Sequence, residues 1–279
     1  MGLRVNTNIS SIGARRQLST VTDRLNKNFS RLSSGLRIAT ASDDPAGLGI
    51  SERMRSQLRS LSQATRNGQD GVSLVQTAEG ALHEASTSLA RMRELAVAAA
   101  NGTLNTQDRV TLDSEFQALI QEIDRLSNTT TFNGVNLLNS PTGSITIQIG
   151  AEASDIISLS LADTTVSALG LNAPGSGASF GITTVSSASA ALDTIDSAIV
   201  SLTTTRGELG AAQNRMESAI RSLQSAEQNL AAAESRIRDV DIAQETADLT
   251  RNSILQQAAV SVLSQANLQP QIALSLLQG

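Results

Sequence analysis

Apolar residues recur every seven positions through one long stretch: Ile195, Leu202, Leu209, Met216, Leu223, Leu230 and Ile237 form an unbroken row. A sustained seven-residue repeat signals helices wound around partner helices. Leu192, Ile199 and Ile220 fill part of an alternate column, which Arg206, Gln213, Glu227 and Glu234 interrupt. At 1.5 Å per residue, the helix predicted over 188–237 is roughly 75 Å long. A compact globule of this chain length has a radius of gyration of only about 19 Å. The pattern therefore predicts an elongated, mainly α, antiparallel coiled-coil or helical-bundle rod, with 195–237 as its seam.

Partner helices for the rod come from the first half. Met54, Leu58, Leu61, Val72, Val75, Leu82 and Leu89 keep three-and-four spacing, and Leu112, Phe116, Leu119, Ile123 and Leu126 mark a shorter helix after "AANGTLNTQD". Asp43 or Asp44 can cap the first of these, with Pro45 in its opening turn. Gly68 and Gly71 argue against an unbroken helix there. Composition agrees with side-by-side aliphatic packing: the chain has four Phe, no Trp, no Tyr and no Cys. The missing cysteines exclude disulfides and thiolate chemistry.

Between the helical halves the texture changes. "NTTTFNGVNLLN" carries an Asn133-Gly134 turn. "SITIQIG" and "DIISLSLAD" alternate strictly and predict a β-hairpin at about 140–162, followed by a Gly/Ser/Thr-rich loop over 163–187.

Both ends are apolar where chain ends are usually polar. The front carries Leu3, Val5, Ile9 and Ile12, then Leu18, Val21, Leu25, Phe29, Leu32 and Leu36 at helical spacing. The back carries Leu255, Ala259, Val262, Ala266, Ala273 and Leu276, with Pro270 as an expected kink and "IALSLL" near the last residue. Residues 1–44 and 238–279 are thus predicted to pair as a separate coiled-coil domain beside a rod domain over 45–237. Ordering some eighty terminal residues costs on the order of 100 kcal/mol. Two dozen aliphatic side chains return about 2 kcal/mol each if fully buried, and two helices facing only each other cannot bury them all. The ends are therefore expected to be disordered in a free monomer and to order when many copies cover one another, which describes a polymer subunit.

Charge sharpens this. The net charge is -5, which argues against nucleic-acid binding. Residues 1–60 hold ten basic and four acidic residues, whereas 193–248 hold five arginines and ten acids, so the two segments can attract. No stretch reaches the roughly 18 apolar residues of a membrane span, which predicts no membrane insertion. The N-terminus lacks a signal-peptide core; its Arg- and Ser-rich amphipathic character faintly resembles a transit peptide, but the helical pattern through Leu36 outweighs that. An enzyme is poorly supported. His83 is the lone histidine and sits within a helical pattern, no Cys/His cluster can hold zinc, and "GSGAS" lacks the flanks of a phosphate loop. Asp43-Asp44 is explained by capping, and Asp239 and Asp241 beside Arg236 and Arg238 read as charge patterning on a helix. No cofactor is expected.

The blocks "NTNISSIGARRQLS", "LSSGLRIATASDDPAGLGISERMRSQ", "NGQDGVSLVQTAEGAL", "MRELAVAAANGT", "EIDRLSNTTTFNGVNLL" and "RIRDVDIAQETADLTRNSILQQAAVSVLSQANLQPQIALSLL" together resemble bacterial flagellin across nearly the whole chain. The resemblance implies a subunit, exported through the flagellar channel, that assembles into the extracellular filament used for motility. It implies an inner tube made by the terminal helices and an outer tube made by the rod. Implied partners are further copies of the chain, an export chaperone on the C-terminal segment, a filament cap and junction proteins. Only Ala162–Ser187 stands where many flagellins carry large outer domains, which implies a thin filament. A host innate immune receptor contacts the family at positions matching Arg91, Leu95 and Glu115; Ala90 stands where recognised members commonly carry Gln. The alternative is a hook–filament junction-type protein, or another non-enzymatic coiled-coil assembly protein such as a membrane-surface coiled coil.

Overall fold

The computed structural model describes residues 7–139, 143–161, 163–171 and 180–278, with 270–278 described through their backbone alone. Its elements are helices α1 (Ile9–Ser34), α2 (Pro45–Ala99) and α3 (Thr106–Thr129), four short strands, then α4 (Val185–Arg238) and α5 (Ile242–Gln278). The fold is mainly helical with a small β region, as the sequence predicts. It divides into two compact units, Met1–Leu58 with Gln228–Gly279, and Arg59–Glu227.

In the unit over Arg59–Glu227, most of α2 and α4 run antiparallel. Arg93 reaches Asp196 at 2.7 Å and Arg206 reaches Glu79 at 3.5 Å, so rising numbers on one helix meet falling numbers on the other. The α2 face buries Val75, Ala78, Leu82, Ala85, Leu89, Met92, Ala96 and Ala99, a three-four repeat without a gap. From α4 come Ile195, Leu202, Leu209 and Met216 of the predicted row, all buried. Leu223, and in the other unit Leu230 and Ile237, are only half-buried.

The second column on α4 differs from the expected one. It is made by buried Ala191, Ala198 and Ala212, while Leu192, Ile199 and Ile220 lie half-buried on the flank; buried Ala188 extends the first row one repeat before Ile195. The physical reason is close helix approach. A methyl group added at Gly68 would stand 2.9 Å from Ile220 Cγ1, and one at Gly71 would meet Ile147 Cδ1 at 2.6 Å and Met216 Sδ at 2.8 Å. The glycines of α2 make room for the large side chains Ile220, Met216 and Ile147 where the elements crowd. These glycines therefore serve packing and do not break α2, which is helical across both.

Helix α3 folds back from α2. The Arg109 guanidinium, buried at the turn, donates to Ala99 O at 2.8 Å and Asn101 O at 2.9 Å, satisfying carbonyls at the end of α2. Strands β1 (Thr131–Phe132) and β2 (Val135–Asn136) flank Asn133-Gly134, both at positive φ. That geometry is the one a tight hairpin turn requires of these two residue types. Strands β3 (Ser144–Gln148) and β4 (Ile156–Ser160) pair antiparallel with Ile145 opposite Leu159 and Ile147 opposite Ile157. Ile147, Ile157 and Leu159 join the core. The connection predicted over 163–187 ends sooner than expected: Thr184 caps α4, accepting from Ser187 N at 3.1 Å, so 185–187 are helical. It docks on α3 through Asp113, which accepts from Ile182 N at 2.7 Å, and through Phe180, whose ring centroid lies 5.7 Å from that of Phe116.

In the other unit, α1 and α5 pair antiparallel: Asn8 donates to Ala266 O at 2.7 Å, and Gln256 to Thr22 Oγ1 at 3.5 Å. Between α1 and α2, Arg37 N donates to Arg238 O at 2.7 Å and Val240 N to Gly35 O at 3.0 Å, forming a bridge of Leu36 with Asp239. Asp43 closes the loop by accepting from Thr40 N at 3.1 Å, and Asp44 caps α2 by accepting from Ala46 N and Gly47 N at 3.1 and 2.9 Å. Asp241 is not surface charge patterning. It caps α5, accepting from Ala243 N at 2.9 Å, because the chain leaves helix at Asp239 and must restart.

Candidate assembly interface

Local chemistry sets each terminal helix. Asn8 caps α1 by accepting from Ser11 N at 3.0 Å, and Gly35 ends it at φ 72°, its N–H returning to Arg31 O. Helix α5 runs from Ile242 through Pro270 to Gln278. Both terminal segments are helical over the described residues, and Val21, Leu25 and Ala266 are buried between them.

Cover stops there. Nine large apolar side chains of this unit are more than 40% exposed among the described residues: Ile9, Ile12, Phe29, Ile242, Ile254, Leu255, Val260, Val262 and Leu268. On α5, Ile254, Leu255 and Val260 are separated by roughly 100–140° around the axis, at about 100° per residue. Large apolar side chains therefore emerge on several sides of that helix, among exposed polar ones such as Gln244, Arg251 and Gln257. An apolar stripe is stabilised by being covered, and α1 covers one side. Between them lies an open groove of about 220 Å³, lined by Ala14, Gln17 and Val21 from α1 and by Leu255, Ala259 and Val262 from α5.

The expected interface residues therefore divide. Val21, Leu25 and Ala266 are spent within the pair; Leu18, Leu32 and Leu36 are half-buried; Phe29 is 58% exposed, Leu255 41% and Val262 57%. Leu3, Val5, Ala273, Leu276 and the rest of "IALSLL" fall outside the described residues or side chains. Sequence reasoning missed Asn28, Glu245 and Asn252, which join the helices from within: Asn28 donates to the Glu245 carboxyl and accepts from Asn252 Nδ2 at 2.8 Å. Their signal is position, since Asn252 and Glu245 stand seven and fourteen residues before Ala259.

Of the three positions matched to a receptor contact, Arg91 and Glu115 form one feature, with Nε 2.8 Å from the Glu115 carboxyl. Hydrogen bonds to Glu115 and then Glu94 push the Arg91 pKa upward. Leu95, at 3% exposure, belongs to the core and presents no surface. Elsewhere, the Arg238 hydrogen bond at 2.7 Å holds the Glu52 carboxyl below its ordinary range, and hydrogen bonds from Thr40 do the same for Asp43. Among the described residues, no cluster of metal-ligating side chains occurs, and no helix is long and apolar enough to cross a membrane. The His83 side chain is exposed.

Two family models match the chain: the bacterial flagellin N-terminal helical region over residues 5–142, and the bacterial flagellin C-terminal helical region over 192–277. Flagellin of Halalkalibacterium halodurans is 46% identical over 274 residues, covering 98% of this chain and 99% of the relative. Flagellin of Bacillus subtilis is 44% identical over 306 residues, covering 99% and 100%. Among solved structures, the crystal structure of Bacillus cereus flagellin aligns with a TM-score of 0.51 at 32% identity, covering 61% of this chain and 94% of that one.

Proposed function

The chain belongs to the bacterial flagellin family and is a structural subunit of the flagellar filament, an extracellular appendage, not an enzyme; from that premise we propose that its terminal helices are the surface through which copies polymerise. One observation carries this reading: the unpartnered apolar surface of α5, with Ile254, Val260, Val262 and Leu268 all more than half exposed. Each such side chain contributes about 1.5–3 kcal/mol when fully covered, and a repeating contact between identical subunits that does not close yields a helical polymer. In this reading the unit built on α1 and α5 is the inner core of the filament, formed with Leu18, Phe29, Leu32, Leu36, Leu255, Val262 and Leu276. The α4 seam stiffens the outer layer.

The same surface explains why a chaperone would be needed. A helix that leaves several large apolar side chains exposed is prone to aggregate unless held before assembly, and α5 is the segment to hold. Export through the flagellar channel, a cap at the growing tip and junction proteins at the base complete the proposed partners. An innate immune receptor reaching the α2–α3 face would meet Arg91 and Glu115, with Leu95 acting only by supporting α2 from below.

Removal of residues 242–279 tests the reading. Electron microscopy should show no filaments at any concentration, while circular dichroism retains the helical signal of Arg59–Glu227. Filaments of ordinary length from the shortened chain would refute it.

A further inference from the structure

The terminal unit contains a single aromatic side chain, Phe29, and it is 58% exposed. Phe116, Phe132 and Phe180, in the other unit, are buried or half-buried. An aromatic ring contributes to packing through the large area it buries, so Phe29 in water is a ring without its partner. The same unit holds the open groove of about 220 Å³, lined by Ala14, Ala258 and Ala259 together with Val21, Leu255 and Val262; among its lining residues only Gln17 is polar. A cavity of about 150 Å³ with aliphatic walls admits a benzene ring, so the groove has room for a benzyl side chain.

Ring and groove do not meet within one copy. Gln17, Val21, Leu25 and Phe29 follow one another at four-residue steps, each about 40° further around α1. Gln17 and Val21 line the groove, Val21 and Leu25 are buried, and Phe29 emerges beyond them. The ring and the groove therefore occupy opposite flanks of the α1–α5 seam. Phe29 also stands fifteen residues after Ala14 and eight after Val21, which puts it about 12–22 Å further along the helix.

We propose that Phe29 of one copy seats in the α1–α5 groove of the next. This pairing rests on the interface reading above and names the two surfaces that meet. The occupant is a second copy for three reasons. The chain is a filament subunit; ring and groove match in size and apolar character; and a molecule with a ring on one flank and a slot for it on the other repeats. Two copies with their helices side by side in the same sense then join through different patches and are displaced along α1. A head-to-tail contact with an advance at each step does not close, and it generates a helical polymer. One ring covers roughly 150–250 Å², far below the roughly 1,200 Å² of a stable pair. The contact thus fixes where a neighbour sits without holding two copies together by itself.

The test is a double-mutant cycle on the full-length chain, read as the critical concentration for filament growth. Phe29→Ala removes the ring, and Ala258→Gln fills the groove with a polar side chain; both sites are exposed, so the thermal midpoint of the soluble chain should not move. Each substitution should raise the critical concentration about tenfold, the factor expected when one large apolar side chain stays uncovered. Together they should raise it no more than about tenfold, because either change alone already removes the contact. A rise of about a hundredfold in the double variant would overturn the pairing by showing that ring and groove take different partners. An unchanged critical concentration for Phe29→Ala, with Ile254→Ser still raising it, would overturn the pairing and leave the wider interface reading standing. Because the chain has no cysteine, proximity can be read directly. In filaments grown from equal parts of Ser33→Cys chains, one turn past Phe29, and Gln17→Cys chains, a short bis-maleimide should join residue 33 to residue 17 of different copies. Like pairs linking as often as unlike ones would contradict the head-to-tail contact.

Discussion

Two regions of one chain solve the same problem differently. In Arg59–Glu227, helices, a hairpin and the 163–171 segment enclose a common core: Val75, Leu82, Leu89, Met92, Phe116, Ile123, Ile195, Leu202 and Met216 are each at or near zero exposure. In the terminal unit, two helices meet along one face and leave the rest bare. The average aliphatic content of the helices is alike; the number of covering elements is not. A helix with large apolar side chains on several sides needs more than one neighbour. In the proposed assembly, the neighbours that α1 does not supply are other copies of the chain.

Substitutions should separate the two regions. The largest effect belongs to the closed core: Leu202→Ala, at a site 1% exposed, should lower stability by about 2–5 kcal/mol through lost burial and a residual cavity, read as a lower thermal midpoint of the soluble chain. Val262→Ser, at a site 57% exposed, should leave that midpoint within the scatter of ordinary surface changes, about 0.5 kcal/mol. It should nevertheless raise the critical concentration for polymerisation about tenfold, because roughly 1.5 kcal/mol of burial per subunit is lost only on assembly. If the two substitutions shifted monomer stability alike, the contrast between regions would be lost.

Acid should act more gently still. The folded-state pKa of Glu52 is depressed by Arg238, and that of Asp43 by Thr40. Depressed carboxyls contribute stability that is fully present above their ordinary values, 4.5 for Glu and 3.8 for Asp, and lost as pH falls through the folded values. The protection factors of the Thr40 and Val240 amides, their exchange relative to the intrinsic rate at each pH, should therefore be constant from neutrality down to those ordinary values and fall only below them. A loss of protection beginning near neutrality would contradict the assignment of these two groups as the responsive ones.

The legible parts of the fold were those written in large side chains at regular spacing. The row from Ile195 to Met216 and the alternation of Ile145, Ile147, Ile157 and Leu159 each name their own face. What escaped was written in small or polar residues. Ala191, Ala198 and Ala212 form the second buried column of α4, but alanine is too common on helices to mark one. Gly68 and Gly71 look like breakers until Ile220, Ile147 and Met216 are seen against them. Asn28 and Glu245 look like surface residues, and only their place in a seven-residue column hints otherwise. Asp241 looks like one charge among several, because the break at Asp239 has neither Gly nor Pro to announce it. At the interface, the apolar character of both ends was plain, but which residues would be used up inside the pair was not. Leu25 and Leu255 are equivalent letters, one buried and the other 41% exposed, and the difference lies in which side of each helix faces the other.

The most direct measurement is amide hydrogen exchange, region by region, in dilute monomer and in assembled filament. Residues 75–99 and 188–216 should be strongly protected in both states. Residues 9–34 and 242–269 should exchange rapidly in the monomer, since two bare helices cover each other on one side only, and become protected by orders of magnitude in the filament. Strong protection of both terminal segments in dilute monomer, equal to that in the filament, would show that the pair is stable alone and that neighbouring copies are not what completes it.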